Sequence, residues 1–379
     1  MSRRFPGIRL LFPLLLFLLA AAAQAQQPSF EELAARAQEL LDSKPAEAAA
    51  LYQQALARRP DWAEGWLYGG AALYQAGRFA EATDSFRKGV ALAPTKGTGW
   101  AFLGLAEAEL DNPEQALADI RKGEELGLSG NWQFEVAVRI KAAQLLVRSS
   151  SFDDGMAQLV PIAKRGDNSP EVQETMGLCS LAMPQSLAGL SPERRAVVDL
   201  TGKAAWALVS QRPAEAAAAY SELLARFPDQ PGVHYSYGLY LMETDMSAAV
   251  TEFRKEVANN PGHWPSLVVI GSAETRRGNA EAGLEALRQA LKAAPAKYRW
   301  LCHAEIGRAE LTAGNLDQAI ADFGIAERAM PGNAQVHFFL SQAYRREGRK
   351  ADAQRETAEF EKLKVQQDPL GVLNGLTFK

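Results

Sequence analysis

The sequence overlaps itself. Shifted by 34 residues, Trp66 falls on Trp100, Gly70 on Gly104, Ala82 on Ala116, and Arg87-Lys88-Gly89 on Arg121-Lys122-Gly123. A period of this length marks one small supersecondary unit used many times. Each unit has too little core to fold alone, so the chain must stack its units and bury apolar faces between neighbours. Pro60, Pro94, Pro228, Pro261, Pro295 and Pro331 close the units, at intervals of 34, 33, 34 and 36 residues where the units adjoin. Proline cannot continue a helix and turns the preceding residue away from helical angles, so it ends the unit at a set length.

Within a unit, a helical run of about 14 residues leads into a short turn such as Gln75-Ala76-Gly77-Arg78-Phe79, and a second run then reaches the proline. β-branched residues form no sustained alternating run, so strands are not expected. The adjacent glycines Gly69 and Gly70 lie inside a first helix, where each costs roughly 1 kcal/mol against alanine. Gly70 recurs at the eighth position of other units as Gly104, Gly238, Gly271 and Gly307. A small residue there lets paired helices approach, with large residues at the fourth and twenty-fourth positions filling the space between them. The slot of Gly69 elsewhere holds Leu103, Tyr237, Ile270 and Ile306. Gly69 is therefore a local departure, expected to leave room for Tyr68 or Tyr74 and to soften its helix.

These features resemble the tetratricopeptide repeat (TPR) family, whose signature is W-x2-L-G-x2-Y, then A-x3-F, then P. Trp66, Gly69, Gly70, Leu73, Ala82, Phe86 and Pro94 follow it with two substitutions, and Trp100, Leu103, Gly104, Ala116 and Ile120 repeat it. Later units carry Leu267, Gly271, Gly278, Leu287 and Pro295, then Gly307, Gly314, Ala319, Phe323 and Pro331, then Leu340, Tyr344, Gly348 and Ala353. The resemblance implies an all-α, right-handed α-solenoid of about nine to ten TPR-like helical hairpins. It also implies that the first helices line a concave groove that binds a partner protein or peptide.

The ends need separate treatment. Arg3, Arg4 and Arg9, an apolar run of 14 residues from Leu10 to Ala23, and small residues at Ala23 and Ala25 describe an export signal cut after Ala25. A membrane anchor is the rival, but the run is short for a span and Pro13 interrupts it. Removing the leader takes 41 basic residues to 38 against 45 acidic, a net charge of −7. That balance disfavours nucleic-acid and anionic-membrane binding. An exported bacterial protein, periplasmic or secreted, is the expectation. Cys179 and Cys302 stand in apolar helical contexts and read as buried free thiols.

Organisation along the chain follows as a leader (1–25), an N-terminal array (26–128), divergent repeats with an insertion loop (129–196), a C-terminal array (197–365) and a tail (366–379). Pro161 should bend or shorten its helix. Ser169 and Ser191 are expected to cap the helices that start at Pro170 and Pro192. A continuous solenoid and two arrays joined at an irregular centre both fit.

No enzyme or cofactor is expected, and no metal site. His234, His303 and His337 occupy the large fourth slot and read as packing residues, while His263 follows Pro261 in a loop. There is no H-x3-H pair, C-x2-C pair, phosphate loop or nucleophile elbow. Acidic residues on the helices read as solvated faces.

The resemblance places groove residues at positions two, five, nine, twelve and thirteen of each first helix. In the N-terminal array these are Leu67, Ala71 and Tyr74. The favoured candidates lie in the C-terminal half: Tyr235, Leu239, Met242, Val268, Arg276, Phe338, Gln342 and Arg345, with Ser272, Thr275 and Arg346 beside them. The lysine and asparagine clamp with which some family members grip a peptide carboxylate is not recognisable. The leading reading is a non-enzymatic scaffold in the cell envelope. Its alternatives are an accessory subunit of a secretion or polysaccharide assembly, and an enzyme with a site in 129–196.

Overall fold

The computed structural model describes residues 28–367, Ser129 excepted. The leader and residues 368–379 of the tail lie outside the described residues. Within them are 19 α-helices, one short 3-10 turn and no strand. No described helix is long and apolar enough to cross a membrane.

Contacts gather into two compact units, one ending at Leu145 and the other beginning at Leu146. The first contains α1 (Phe30–Leu40), α2 (Pro45–Arg58), α3 (Ala63–Gln75), α4 (Phe79–Leu92), α5 (Gly97–Glu109) and α6 (Pro113–Leu126). The division falls inside α7 (Trp132–Arg148), within the divergent stretch. The second unit continues through α8 (Phe152–Lys164), α9 (Pro170–Ser180), α10 (Pro192–Val209), α11 (Pro213–Arg226), α12 (Val233–Leu241) and α13 (Met246–Asn259). It ends with α14 (Trp264–Arg276), α15 (Ala280–Ala293), the 3-10 turn Ala296–Tyr298, α16 (Arg299–Ala313), α17 (Leu316–Ala329), α18 (Ala334–Glu347) and α19 (Lys350–Gln367).

The eighth-position glycines do what their recurrence implies. A Cβ on Gly70, Gly238 or Gly307 would stand 2.7–2.8 Å from the ring of Phe86, Phe253 or Phe323. On Gly271 it would meet Leu287 at 2.5 Å, and on Gly104 the Ala116 carbonyl at 2.7 Å. The helix cost of each glycine is thus offset by the aromatic or aliphatic side chain pressed onto its backbone. Gly69 differs from the expectation. The side chain it admits belongs to the preceding hairpin: a Cβ on Gly69 would lie 3.2 Å from that of Tyr52. Gly69, Tyr52, Trp66 and Lys88 line a small cleft of about 190 Å³ between α2, α3 and α4.

The turn that follows the first helix requires a left-handed residue. Gly77, Gly278, Gly314 and Gly348 supply it with φ of +74° to +89°, while Asp111 and Gln211 adopt φ 58° at the matching position.

The insertion between α9 and α10 contains Pro184 and Gly189 and is irregular, and Ser191 caps α10, which opens at Pro192, by accepting from the Arg194 amide at 3.2 Å. Ser169 also takes the capping position, but its side chain makes no capping bond. Pro161 sits in the last turn of α8, which ends three residues later at Lys164. Cys179 and Cys302 are buried free thiols. In the second unit α14 touches α16 as well as its own partner α15, and α16 touches α18. Successive first helices therefore touch one another as well as their own partners.

Candidate partner-binding face

Burial sorts the eight groove candidates. Arg276 and Arg345 are exposed; Tyr235, Leu239, Met242, Phe338 and Gln342 are half-buried; Val268 is buried. Val268 packs with Leu267, Leu287 and Ile306, so it belongs to the core rather than to a docking surface. Ser272 and Thr275 are buried too, and the Ser272 hydroxyl donates to Glu305 at 2.5 Å. Tyr235, Leu239 and Met242 pack against a cluster around Phe253 and Ile270. Phe338 lies 5.3 Å from the Phe360 ring on α19. The fifth, ninth and twelfth positions therefore contribute more to packing here than the family pattern implies.

Arg308, on α16, was not among the candidates. It grips the buried Glu305 through both carboxylate oxygens, at 2.8 and 2.9 Å. Partial burial, and then the like charge of Arg308, hold Arg276 below the usual guanidinium range. Two guanidinium groups on neighbouring first helices are thus kept in each other's field. Arg345 continues the basic character on α18, its side chain bonded to Ser341.

An acidic pair stands elsewhere in the same unit. Asp153 and Asp154 open α8. Desolvation, then the charge of Asp154, raises the Asp153 carboxyl. Burial, followed by the charge of Asp153, pushes the Tyr235 phenol up. Close by, Lys297 donates to the Ser149 carbonyl and, at 3.0 Å, to the Ser151 hydroxyl, while Tyr298 donates to the Ser150 carbonyl. Tyr298 also stacks on Trp264 at 5.0 Å. His263, read as a loop residue, is buried between the Tyr235 ring at 4.6 Å and Ser266, whose amide it caps, and burial lowers it to about 4.

A family model described as tetratricopeptide repeat matches residues 35–97, 203–263 and 305–358. These are tetratricopeptide repeats. No curated relative matches the sequence. Solved structures similar to parts of the chain include a double mutant of MamA RS-1, at 21% identity and a TM-score of 0.41, over 48% of this chain and 99% of that one. MamA residues 41 to the end from Desulfovibrio magneticus RS-1 match at 21% and 0.41 over 48% and 100%. A further MamA crystal structure matches at 17% and 0.39 over 43% and 95%.

The helical hairpins carry polar joints that sequence reading missed. Glu107, Glu274 and Glu310 are buried at the same place in their first helices. Each accepts from an arginine on the preceding second helix, Arg87, Arg254 or Arg288, and from an asparagine in its own turn, Asn112, Asn279 or Asn315. The expectation that helical acids are solvated fails at these sites. It fails again at the histidines, which pair with carboxylates: His234 with Glu252 at 2.6 Å, His303 with Asp322 at 2.7 Å and His337 with Glu356 at 2.8 Å. The fourth slot is also polar at its rim. Trp66 and Trp100 donate to the carbonyls of Pro60 and Pro94 at 2.8 and 2.9 Å, and the second nitrogen of His337 faces Pro331 O at 3.1 Å.

Proposed function

We propose that the chain is an exported, non-enzymatic scaffold whose second unit holds an extended segment of a partner protein along its first helices. The TPR stretches support interaction as the general role. The observation that carries the specific reading is the pairing of exposed Arg276 with Arg308 on adjacent helices. Glu305 already acts on both guanidinium groups, an anionic partner group would add to that attraction, and Arg is enriched where binding energy concentrates. Asp153 and Asp154 offer the opposite sign on the same unit. The fitting segment therefore carries acidic and basic residues at separate points along its length, and the two fields set its direction. The basic, apolar and small-residue leader supports an envelope location.

The test is capture of partners from the envelope fraction with the parent chain and with Arg276→Glu/Arg345→Glu. Both residues are exposed, so the fold is preserved. Loss of a captured protein, together with weaker capture by the parent at high salt, is the expected result. Equal recovery with the double variant would overturn the assignment to this face.

A further inference from the structure

Before its last closing proline the second unit places a carboxylate where the other proline-closed units have a hydrocarbon. Four residues before each closing proline stand Leu56, Val90, Leu224, Val257 and Leu291, and then, before Pro331, Glu327. The apolar members are buried or packed against core clusters. A carboxylate in that position gives up packing and solvation unless something nearby compensates. What lies nearby is the third histidine pair. One ligand atom each from Glu327, His337 and Glu356 lies within 4.8 Å of the others. His337 and Glu356 are 4% and 3% exposed, and Glu327 is half-buried, which leaves one side open to solvent. Three successive helices, α17, α18 and α19, supply the three groups.

We propose that Glu327, His337 and Glu356 form a binding site for a divalent transition-metal cation of the Zn2+ class. One imidazole and two carboxylates are the donor set that suits Zn2+ and its neighbours, whereas Mg2+ and Ca2+ prefer all-oxygen shells. Three protein ligands leave a fourth position for water on the open side. The surroundings already hold the ligands in place. Arg355 bonds Glu356 through Oε1, leaving Oε2 to His337, and the Pro331 carbonyl faces the second ring nitrogen of His337. A metal-binding imidazole is usually oriented through its other nitrogen in this way. The molecule contains its own controls. His234 with Glu252 and His303 with Asp322 repeat the pair, and among the described residues neither forms such a three-group cluster.

The signal is invisible in sequence because the ligands are 10 and 19 residues apart and come from three helices. The experiment is titration of the purified, metal-free chain with Co2+ and Zn2+. The expected result is one saturable Co2+ site with tetrahedral d–d absorption, displaced by Zn2+ and not by Mg2+, and a Tm that rises with free metal. Glu327→Leu, which introduces the residue type of the other proline-closed units and should fold, abolishes the site. Asp322→Asn, in the sister pair, leaves it intact. Absence of saturable binding by the folded parent, or undiminished binding by Glu327→Leu, would overturn the proposal.

Discussion

Single residues divide into those whose type reveals their role and those whose type conceals it. Gly70 and its counterparts were legible because no other residue lets a Phe ring sit 2.7 Å from where a Cβ would be. Glu274 was not, because glutamate on a helix ordinarily faces water, and only an arginine on another helix discloses its burial. Gln211 falls between these cases. It is exposed, yet holds φ 58° in a turn position that four hairpins fill with glycine. Left-handed backbone costs a side-chain-bearing residue about 1–2 kcal/mol, partly returned by the greater unfolded-state freedom of glycine. Gln211→Gly should stabilise the chain by about 0.5–1 kcal/mol in urea denaturation, and no gain would show that the turn is unstrained.

His263 gives a pH dependence at the same scale. Burial lowers it to about 4, against an unfolded value of about 6.5. The unfolded chain therefore binds the extra proton first as pH falls. The stability contribution is complete above pH 6.5 and is lost on descent toward pH 4. By pH 5 the loss amounts to about 2 kcal/mol. His263→Asn keeps a capping side chain without a titrating group and should flatten the stability profile between these limits. An unchanged slope would assign the acid sensitivity to other groups.

At the scale of helices, pairing and punctuation were legible. Prolines, turn glycines and Ser191 placed the ends, and the insertion after α9 is irregular. The crossing of α9 and α10 was not legible, although glycines permit it. A Cβ on Gly177 would lie 2.2 Å from the Val198 carbonyl, and one on Gly202 1.9 Å from that of Gln173. Glycines on facing helices meet in the same way at Gly97 with Gly123 and at Gly271 with Gly283, but at positions that do not recur in every unit. Hairpin joints show the converse, a repeated contact built from unremarkable residue types. Glu274 accepts from Arg254 at 2.7 Å and from Asn279 at 2.9 Å while 6% exposed. Bonds from Asn279, with the charges of Arg254 and Arg277, lower its pKa against the opposing effect of burial. Removing a buried, charge-assisted acceptor leaves its donors unmet, so Glu274→Ala should cost about 2 kcal/mol. A double-mutant cycle with Arg254→Ala measures how much of that crosses the joint. A coupling indistinguishable from zero would reduce the ion pair to a surface feature, since Arg254 is itself largely exposed.

Across the whole chain, stacking of neighbours makes each hairpin depend mainly on the next, so an array frays from its ends. One contact in the second unit breaks that rule. Residues 149–151 are held by Lys297 and Tyr298, 146 to 148 positions away in sequence. The 36-residue interval between Pro295 and Pro331 is the only trace of this in sequence, since the added residues adjoin the 3-10 turn that carries both donors. An interval reveals an insertion but not what it reaches. The bond from Tyr298 and its stacking on Trp264 tie the turn before α8 to the starts of α16 and α14 independently of the hairpins between. Amides of α8 and α9 should therefore exchange through openings shared with α14 to α16, rather than as a separately fraying end. Lys297→Ala/Tyr298→Phe removes the polar donors and keeps the ring stack. Its expected effect is faster exchange in α8 and α9, with protection in α17 to α19 unchanged. Equal exchange in parent and variant would show that neighbour stacking alone holds this end of the unit.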